Sequence, residues 1–268
     1  MSVTLNQLWQ IAGSGIHARQ RQLDIISHNV ANMNTVGYKA SQPGFQALIR
    51  ERALSEEEAG IFAVANPGDI IQEGMGTVLT HETKLFSQGS LMQTNNPYHL
   101  AIMGDGFFQV EAPNGEILYT RGGDFVRSVD GRLVTNNGYV LQAPIDLPEE
   151  VTEVYIDGEG VLFGRTVENP EPAIFGQVQL ARFPNVDGLE SAGDSMFRPT
   201  EASGVAEIGE PNQDGLGALL SGYLEGSNVD MGQEMTKLLQ SQRAYTLSLR
   251  SLRVADEIFQ LANQLPRP

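Results

Sequence analysis

The chain has 268 residues, a formal net charge of −16 and no cysteine. Without cysteine there is no disulfide, no thiolate metal site and no thiol nucleophile, and an acidic chain without a basic cluster lacks the electrostatic footprint of a nucleic-acid binder. No run of about eighteen apolar residues occurs, so no membrane-spanning helix is expected.

In chain order, the first predicted element covers residues 5–39. Leu5, Leu8, Ile16, Leu23, Ile26, Val30 and Met33, with Ala12 and Arg19 between them, recur in alternating steps of three and four. That spacing predicts an amphipathic helix of about thirty residues, ~45 Å long, with a seam narrow enough for a coiled coil. Gln7, Gln10, Gln20, Gln22, Asp24 and Ser27 occupy the other face. The helix should run out near residues 34–37, where Gly37 suits a left-handed terminating position. Asn29 and Asn32 lie three apart on one face. They fit hydrogen bonding to a neighbouring helix or simple solvation near a helix end, and both readings stand.

Residues 40–54, carrying Phe45, Leu48 and Ile49, read as a short helix or an extended linker. The acidic run 55–60 reads as a solvated turn. Weak strands at 61–65 and 69–72 flank Asn66-Pro67-Gly68, as in a loop or long hairpin. From Gly76 the pattern changes to short alternating runs separated by Asn114-Gly115, Asp130-Gly131, Asn137-Gly138 and Asp157-Gly158. Closely spaced strands with such turns predict an antiparallel β domain. Residues 188–217, rich in Gly, Pro, Asp, Glu and Ser, read as a loop returning the chain from that domain.

A second helical seam follows in residues 228–265: Met235, Leu238, Gln242, Tyr245, Leu249 and Leu252, widened by Val254, Ile258, Leu261 and Leu265. Ser227 or Asn228 suits the N-cap, Asp230 and Glu234 suit the positive end of the helix dipole, and Pro266 stops the helix. Two readings of this plan stand. The terminal helices form an intramolecular pair closing one domain, or they form a rod-like stalk that packs against copies of itself. Charge favours neither separately. Residues 1–50 carry +3, residues 228–268 carry +1, and residues 51–227 hold eight Lys and Arg against 28 Asp and Glu, a net of −20. Near-neutral ends associate without strong repulsion while an acidic middle stays solvated.

No catalytic constellation emerges. The four histidines are His17, His28, His81 and His99, and His81-Glu82 lacks the second helical histidine of a zinc protease. Gly104-Asp105-Gly106 lies between predicted strands and has no helix N-terminus to receive a phosphate, so a turn is expected there. Asp124, Asp130, Asp157 and Glu159 lie beside glycines in predicted turns, without the spacing of a calcium loop. No cofactor and no metal are expected.

Residues 23–39, Leu-Asp-Ile-Ile-Ser-His-Asn-Val-Ala-Asn-Met-Asn-Thr-Val-Gly-Tyr-Lys, closely resemble the N-terminal signature of the bacterial flagellar rod and hook proteins. The likeness continues through Ser87-Gln88-Gly89-Ser90-Leu91, Thr94-Asn95-Asn96, Gly104-Asp105-Gly106-Phe107-Phe108, Tyr119-Thr120-Arg121, Phe125 and Leu133-Val134-Thr135, then Glu225-Gly226-Ser227-Asn228 and Gln242-Arg243-Ala244-Tyr245. It is greatest to the distal-rod branch, because the stretch 55–75 falls where that branch has an insertion absent from hook subunits. His99 stands where the family usually has Asp, Gly122 where an acidic residue often follows, and Thr246, Leu247 and Ser248 replace the usual acidic and polar residues.

The resemblance implies an α+β fold. Residues 1–39 and 228–268 would form a discontinuous helical, coiled-coil axial domain, 40–75 a linker and rod-type insertion, and 76–227 an antiparallel β domain with its return loop. It marks Leu23, Ile26, Asn29, Val30, Asn32, Met33, Met235, Leu238, Gln242, Tyr245, Leu249 and Leu252 as assembly-helix residues. It marks Gly104, Gly106, Phe107, Phe108, Tyr119, Arg121 and Phe125 as the β-core signature. The implied function is a non-enzymatic subunit of the flagellar basal-body rod, self-assembling into a hollow helical drive shaft around an export channel. Implied partners are copies of itself, proximal-rod and hook subunits, and surrounding envelope ring proteins. Implied export is by the flagellar type III route to the periplasm, in keeping with no secretory signal being read at the N-terminus. In a lone subunit the terminal helices are expected to be partly disordered. The alternatives are a proximal-rod or hook subunit, or a β-domain binding module or cell-wall hydrolase with helical arms.

Overall fold

Helix α1 (Ser2–Ala31) and helix α2 (Met231–Gln264) stand at the two ends of an otherwise β-rich chain. The computed structural model describes residues 2–53, 70–145, 147–148, 151–166 and 171–264. The expected acidic turn at 55–60, the strand at 61–65, the Asn66-Pro67-Gly68 turn, Leu265 and the Pro266 stop lie outside these residues. The chain divides into a helical unit of residues 1–30, 41–83 and 231–268, and a β unit of residues 31–40 and 84–230.

In the helical unit, residues 41–53 adopt the extended reading: β1 (Ser41–Ala53) pairs with β2 (Ile70–Lys84) in a two-stranded ribbon. Thr80 donates its hydroxyl to the Gly44 carbonyl and Thr77 donates to that of Gln46, so the strands run in opposite directions. Pro43 lacks an N–H and is tolerated in so narrow a ribbon, where every strand is an edge. Helix α1 ends at Ala31. Residues 32–37 form turns, with the Thr35 amide bonded to the Asn32 carbonyl, and Gly37 has φ +66°. A Cβ on Gly37 would fall 2.3 Å from the Gly122 nitrogen, so backbone conformation and packing both demand glycine there.

In the β unit the strands are β3 (Leu91–Gln93), β4 (Leu100–Met103), β5 (Phe107–Glu111), β6 (Ile117–Thr120), β7 (Phe125–Arg127), β8 (Leu133–Thr135), β9 (Val140–Leu141), β10 (Val151–Ile156), β11 (Val161–Thr166), β12 (Ala173–Gln177), β13 (Leu180–Arg182), β14 (Glu190–Gly193), β15 (Met196–Arg198), β16 (Glu207–Gly209), β17 (Ala218–Ser221) and β18 (Tyr223–Glu225). A nine-stranded sheet runs β14-β15-β6-β5-β9-β8-β7, with β13 pairing β5 and β16. A three-stranded sheet runs β10-β11-β12, and β17-β4 and β18-β3 form two pairs. Strands β14, β15 and β16 replace the loop expected over 188–217. Asp194 and Ser195, both with positive φ, turn the β14-β15 hairpin, and Met196 and Phe197 are buried by it. The Gly- and Asp-rich composition concealed this short hairpin.

Strand β5 explains the Phe107-Phe108 doublet. Successive side chains on a strand point to opposite faces, and here both faces are covered. Phe108 enters a cluster with Leu100, Val110, Phe125, Leu133 and Leu180, its ring 5.2 Å from that of Phe125 and nearly perpendicular to it. Phe107 enters a second cluster with Tyr119, Phe183 and Phe197. Gly104 and Gly106, with φ +113° and +135°, form the turn that feeds β5.

Phe108→Ala should cost about 3–5 kcal/mol in urea unfolding, by cavity formation in the larger cluster. Val126→Ala, on the same sheet but partly exposed, should stay within about 0.5 kcal/mol of the parent.

Candidate functional site

Two features of the structure have functional character: a buried charge cluster in the β unit and the paired helices of the helical unit. In the β unit, the strand and turn residues around Lys39, Arg121 and Glu225 place three charged groups out of water. The Lys39 ammonium donates to Glu225 Oε1 and to the Ser87 carbonyl, each at 2.8 Å. The Gly89 amide donates to the same carboxylate oxygen, and the Gly37 amide to the Glu225 carbonyl. Arg121 donates to the Gly104 carbonyl, lies 3.6 Å from Glu225 Oε2, and stacks on the Phe107 ring at 5.2 Å. Burial lowers the Lys39 pKa from its ordinary value; Glu225 opposes this and Arg121 reinforces it. Burial likewise lowers that of Arg121, against the pull of Glu225 and Asp105. Buried charge is costly unless paired, so the cluster holds these segments in one arrangement. Asn228 adds a neutral clamp. Its amide donates to the Leu85 and Ser87 carbonyls and accepts from the Ala40 amide.

In the helical unit, Asn29 is buried and serves the start of β1. Its Nδ2 donates to the Ser41 carbonyl and its Oδ1 accepts from the Ser41 amide, at 2.9 and 2.8 Å. A side-chain amide offers a donor and an acceptor on separate atoms, which serves both backbone groups of Ser41 at once. The same Nδ2 reaches Glu234 of α2 at 3.2 Å, and Glu234 accepts from Lys237. A Cβ on Gly15 would sit 3.7 Å from Ser248. Asn29 meets Glu234 and Gly15 meets Ser248, a step of about fourteen residues in opposite directions, two heptads along each helix. The helices are therefore antiparallel in this unit.

Burial shows which face of α2 this pairing uses. Glu234, Ser241 and Ala255 are buried, and Leu238, Tyr245, Ser248 and Leu252 are half-buried between them. Of the other expected seam residues, Leu249 is half-buried, and Met235 and Gln242 are exposed. On α1, Ile26 and Asn29 are buried and Leu23 and Val30 half-buried. Asn32 and Met33, half-buried, fall in the turns after the helix. The β-core residues Gly106, Phe107, Phe108, Tyr119, Arg121 and Phe125 are buried, and Gly104 is exposed at its turn.

A second stripe on α2 faces outward: Met235, Leu239, Leu247, Val254, Ile258 and Leu261, with Leu247 60% and Leu261 64% exposed. It borders an open apolar groove of about 770 Å³, walled by Ile11, Gly15, Gly76, Leu247, Val254 and Ile258. Phe45, Leu48 and Ile49 of β1 are exposed in the same unit. Among the described residues no group of three His, Asp or Glu gathers as a metal site, and no helix is long and apolar enough to cross a membrane. The sequence reading did not identify Glu225 as the partner of Lys39, nor Ser241 and Ala255 as contact residues. The only signal for the first was the place of both residues in the family signatures, and small residues at heptad spacing were the signal for the second.

Comparison with known proteins gives a consistent result. Residues 10–39 match a family described as flagella basal body rod protein, residues 101–164 the flagellar hook protein FlgE/F/G D1 domain, and residues 220–265 the flagellar basal body rod FlgEFG protein C-terminal family. The chain is 38% identical to the flagellar basal-body rod protein FlgG of Caulobacter vibrioides, over 97% of this chain and 99% of that protein. It is 34% identical to FlgG of Borreliella burgdorferi, over 98% and 99%. It is 29% identical to the flagellar hook-basal body complex protein FlhP of Bacillus subtilis, over 98% and 97%.

Lys39→Met removes the cation hydrogen-bonded to buried Glu225, leaving Arg121 at 3.6 Å as its remaining countercharge, and should cost about 3 kcal/mol. Adding Glu225→Gln should recover only part of that loss, because buried Arg121 then loses its carboxylate, a coupling measurable in a double-mutant cycle by chemical unfolding. Asn29→Ala should cost about 1–3 kcal/mol, the penalty for stranding buried partners, measured by loss of amide protection at Ser41.

Proposed function

The chain belongs to the FlgG family of flagellar basal-body rod proteins, and from that premise we propose that copies of it polymerise through their helical units into a hollow helical shaft. It is a structural subunit of the rod and has its place in the flagellar basal body. The observation that carries the polymerisation reading is the outward stripe of α2. An antiparallel partner inside the chain covers the face with Ser241 and Ala255, while Leu239, Leu247, Val254 and Leu261 stay in water. Contiguous exposed apolar surface on a helix marks a protein contact. Burying the exposed part of each such side chain contributes ~1 kcal/mol, and a tube repeats that contact at every subunit.

In this reading the stripe becomes a coiled-coil seam between neighbouring subunits. The channel would pass exported subunits, and the shaft would carry torque from motor to hook. The acidic 51–227 stretch favours a solvated outer surface turning within envelope rings without adhesion. Proximal-rod and hook subunits would meet the two ends of the shaft. The periplasmic location and export by the type III route without processing belong to the same proposal.

Replacing Leu239, Leu247 and Val254 with Asp should leave the monomer's circular dichroism and unfolding midpoint unchanged, since all three are exposed. Electron microscopy should show tubes from the parent chain at rising concentration and none from the triple variant. Tubes from the variant at the parent's concentration would refute the role given to α2.

A further inference from the structure

Residues 222–228 hold two other stretches of the β unit, 37–40 and 85–94, and they do so mainly through polar groups. Glu225 takes the Lys39 ammonium and the Gly89 amide on one side-chain oxygen, and the Gly37 amide on its carbonyl. Asn228 accepts from the Ala40 amide and donates to the Leu85 and Ser87 carbonyls. The Gly226 amide donates to the Ser90 carbonyl, and the Thr94 amide to that of Gly222. Between these bonds β18 pairs with β3 in a two-stranded ribbon outside the nine-stranded sheet. A single hydrogen bond of this kind contributes only about 1 kcal/mol net.

The apolar support lies elsewhere. Tyr38, Ala40 and Leu224 are buried, yet among the described residues none of them belongs to the clusters around Phe107 and Phe108. Those clusters instead hold the neighbouring chain. Leu219 of β17 enters the larger one, and Phe86 packs on the smaller, edge-on to Phe107 and Phe197. Gly222, with φ +78°, stands between β17 and β18, and hinges are commonly element-terminal residues of this kind. Nor does the ion pair weld the segment down. Burial lowers the Lys39 pKa against the pull of Glu225, and Arg121 adds to the fall. Water therefore suits this ammonium better than its buried place does, and opening relieves that cost.

We infer that residues 222–228 form a strap that opens as one unit about Gly222, releasing residues 37–40 while strands β5 and β6 stay paired. Segments with few apolar contacts open at a fraction of the global unfolding free energy. Residues 37–40 come shortly after α1, and residue 228 lies just before Met231, where α2 begins. One event thus frees the connections of both helices together. The opening belongs to the single subunit and holds whether or not copies of it polymerise.

The chain has three lysines, Lys39, Lys84 and Lys237, and Lys39 is only 1% exposed, so its acetylation reports the opening. The native full-length chain is treated with an N-hydroxysuccinimide ester of acetic acid in a series of low urea concentrations. Each lysine is followed by peptide mass spectrometry, with exposed Lys237 as the reference for the reagent, beside amide exchange of β5 and β6. Relative to Lys237, Lys39 should react about tenfold or more faster than the globally unfolded fraction allows. Low urea should barely change that ratio while it speeds the exchange of β5 and β6. Asn228→Ala should raise Lys39 acetylation about tenfold and leave β5 and β6 exchange as in the parent. Lys39 acetylation that keeps pace with β5 and β6 exchange across the urea series of the parent would overturn the inference, whether or not Asn228→Ala folds. Equal acceleration of Lys39, β5 and β6 in a folded Asn228→Ala protein would overturn it too.

Discussion

One oxygen of Glu225 accepts from the Lys39 ammonium and from the Gly89 amide, 2.8 Å from each, while its backbone carbonyl takes the Gly37 amide. Lys39 and Glu225 are 186 positions apart. Bringing them together carries a substantial loop-closure cost, which one ion pair does not offset alone. The aromatic and aliphatic clusters around β5 provide the stabilisation. The ion pair specifies the arrangement, because any slip leaves a charge buried and unpaired. Lys39 follows α1 and Glu225 precedes α2 in the chain, so the segments that lead out of one helix and into the other share one anchor. Asn228 reinforces it from the same short segment.

The β unit shows which parts of such an arrangement a sequence discloses. The turn Gly104-Asp105-Gly106 was legible because glycine takes positive φ without strain, whereas the covering of both faces of the strand after it, by the clusters of Phe107 and Phe108, emerged only from the structure. Asn-Gly and Asp-Gly turns marked the hairpins in the same way. The hairpin at 190–198 was not legible. Its strands are three and four residues long, and their burial depends on pairing with β6, a partner some 75 positions away. The extended state of residues 41–53 was left open for a similar reason: Phe45, Leu48 and Ile49 fit helical spacing, and only the pairing with β2 decides for a strand.

The helices were legible in position but not in face, and their antiparallel sense came only from the structure. Choosing the largest side chains at alternating steps of three and four picks Met235, Gln242 and Leu249. The intramolecular contact instead favours Glu234, Ser241, Ser248 and Ala255, one position over, because small side chains opposite Gly15 let the two backbones approach. Leu238, Tyr245 and Leu252 are common to both registers. A long helix that must satisfy a partner within the chain and another outside it carries two adjacent stripes, and a pattern search merges them. The family resemblance, read from residues 23–39 and the β-core motifs, extends in the relatives over nearly the whole chain. It named the role of the protein without showing which face of α2 is left for neighbours.

The central claim is that α2 keeps an apolar face for contacts between subunits. Amide hydrogen exchange resolved along the chain, on dilute monomer and on assembled polymer, tests it most directly. The account predicts stronger protection of α2 over residues 239–261 in the polymer than in the monomer, with the amides of β5 and β6 equally slow in both. Polymer in which the protection of α2 is the same as in the monomer would contradict it.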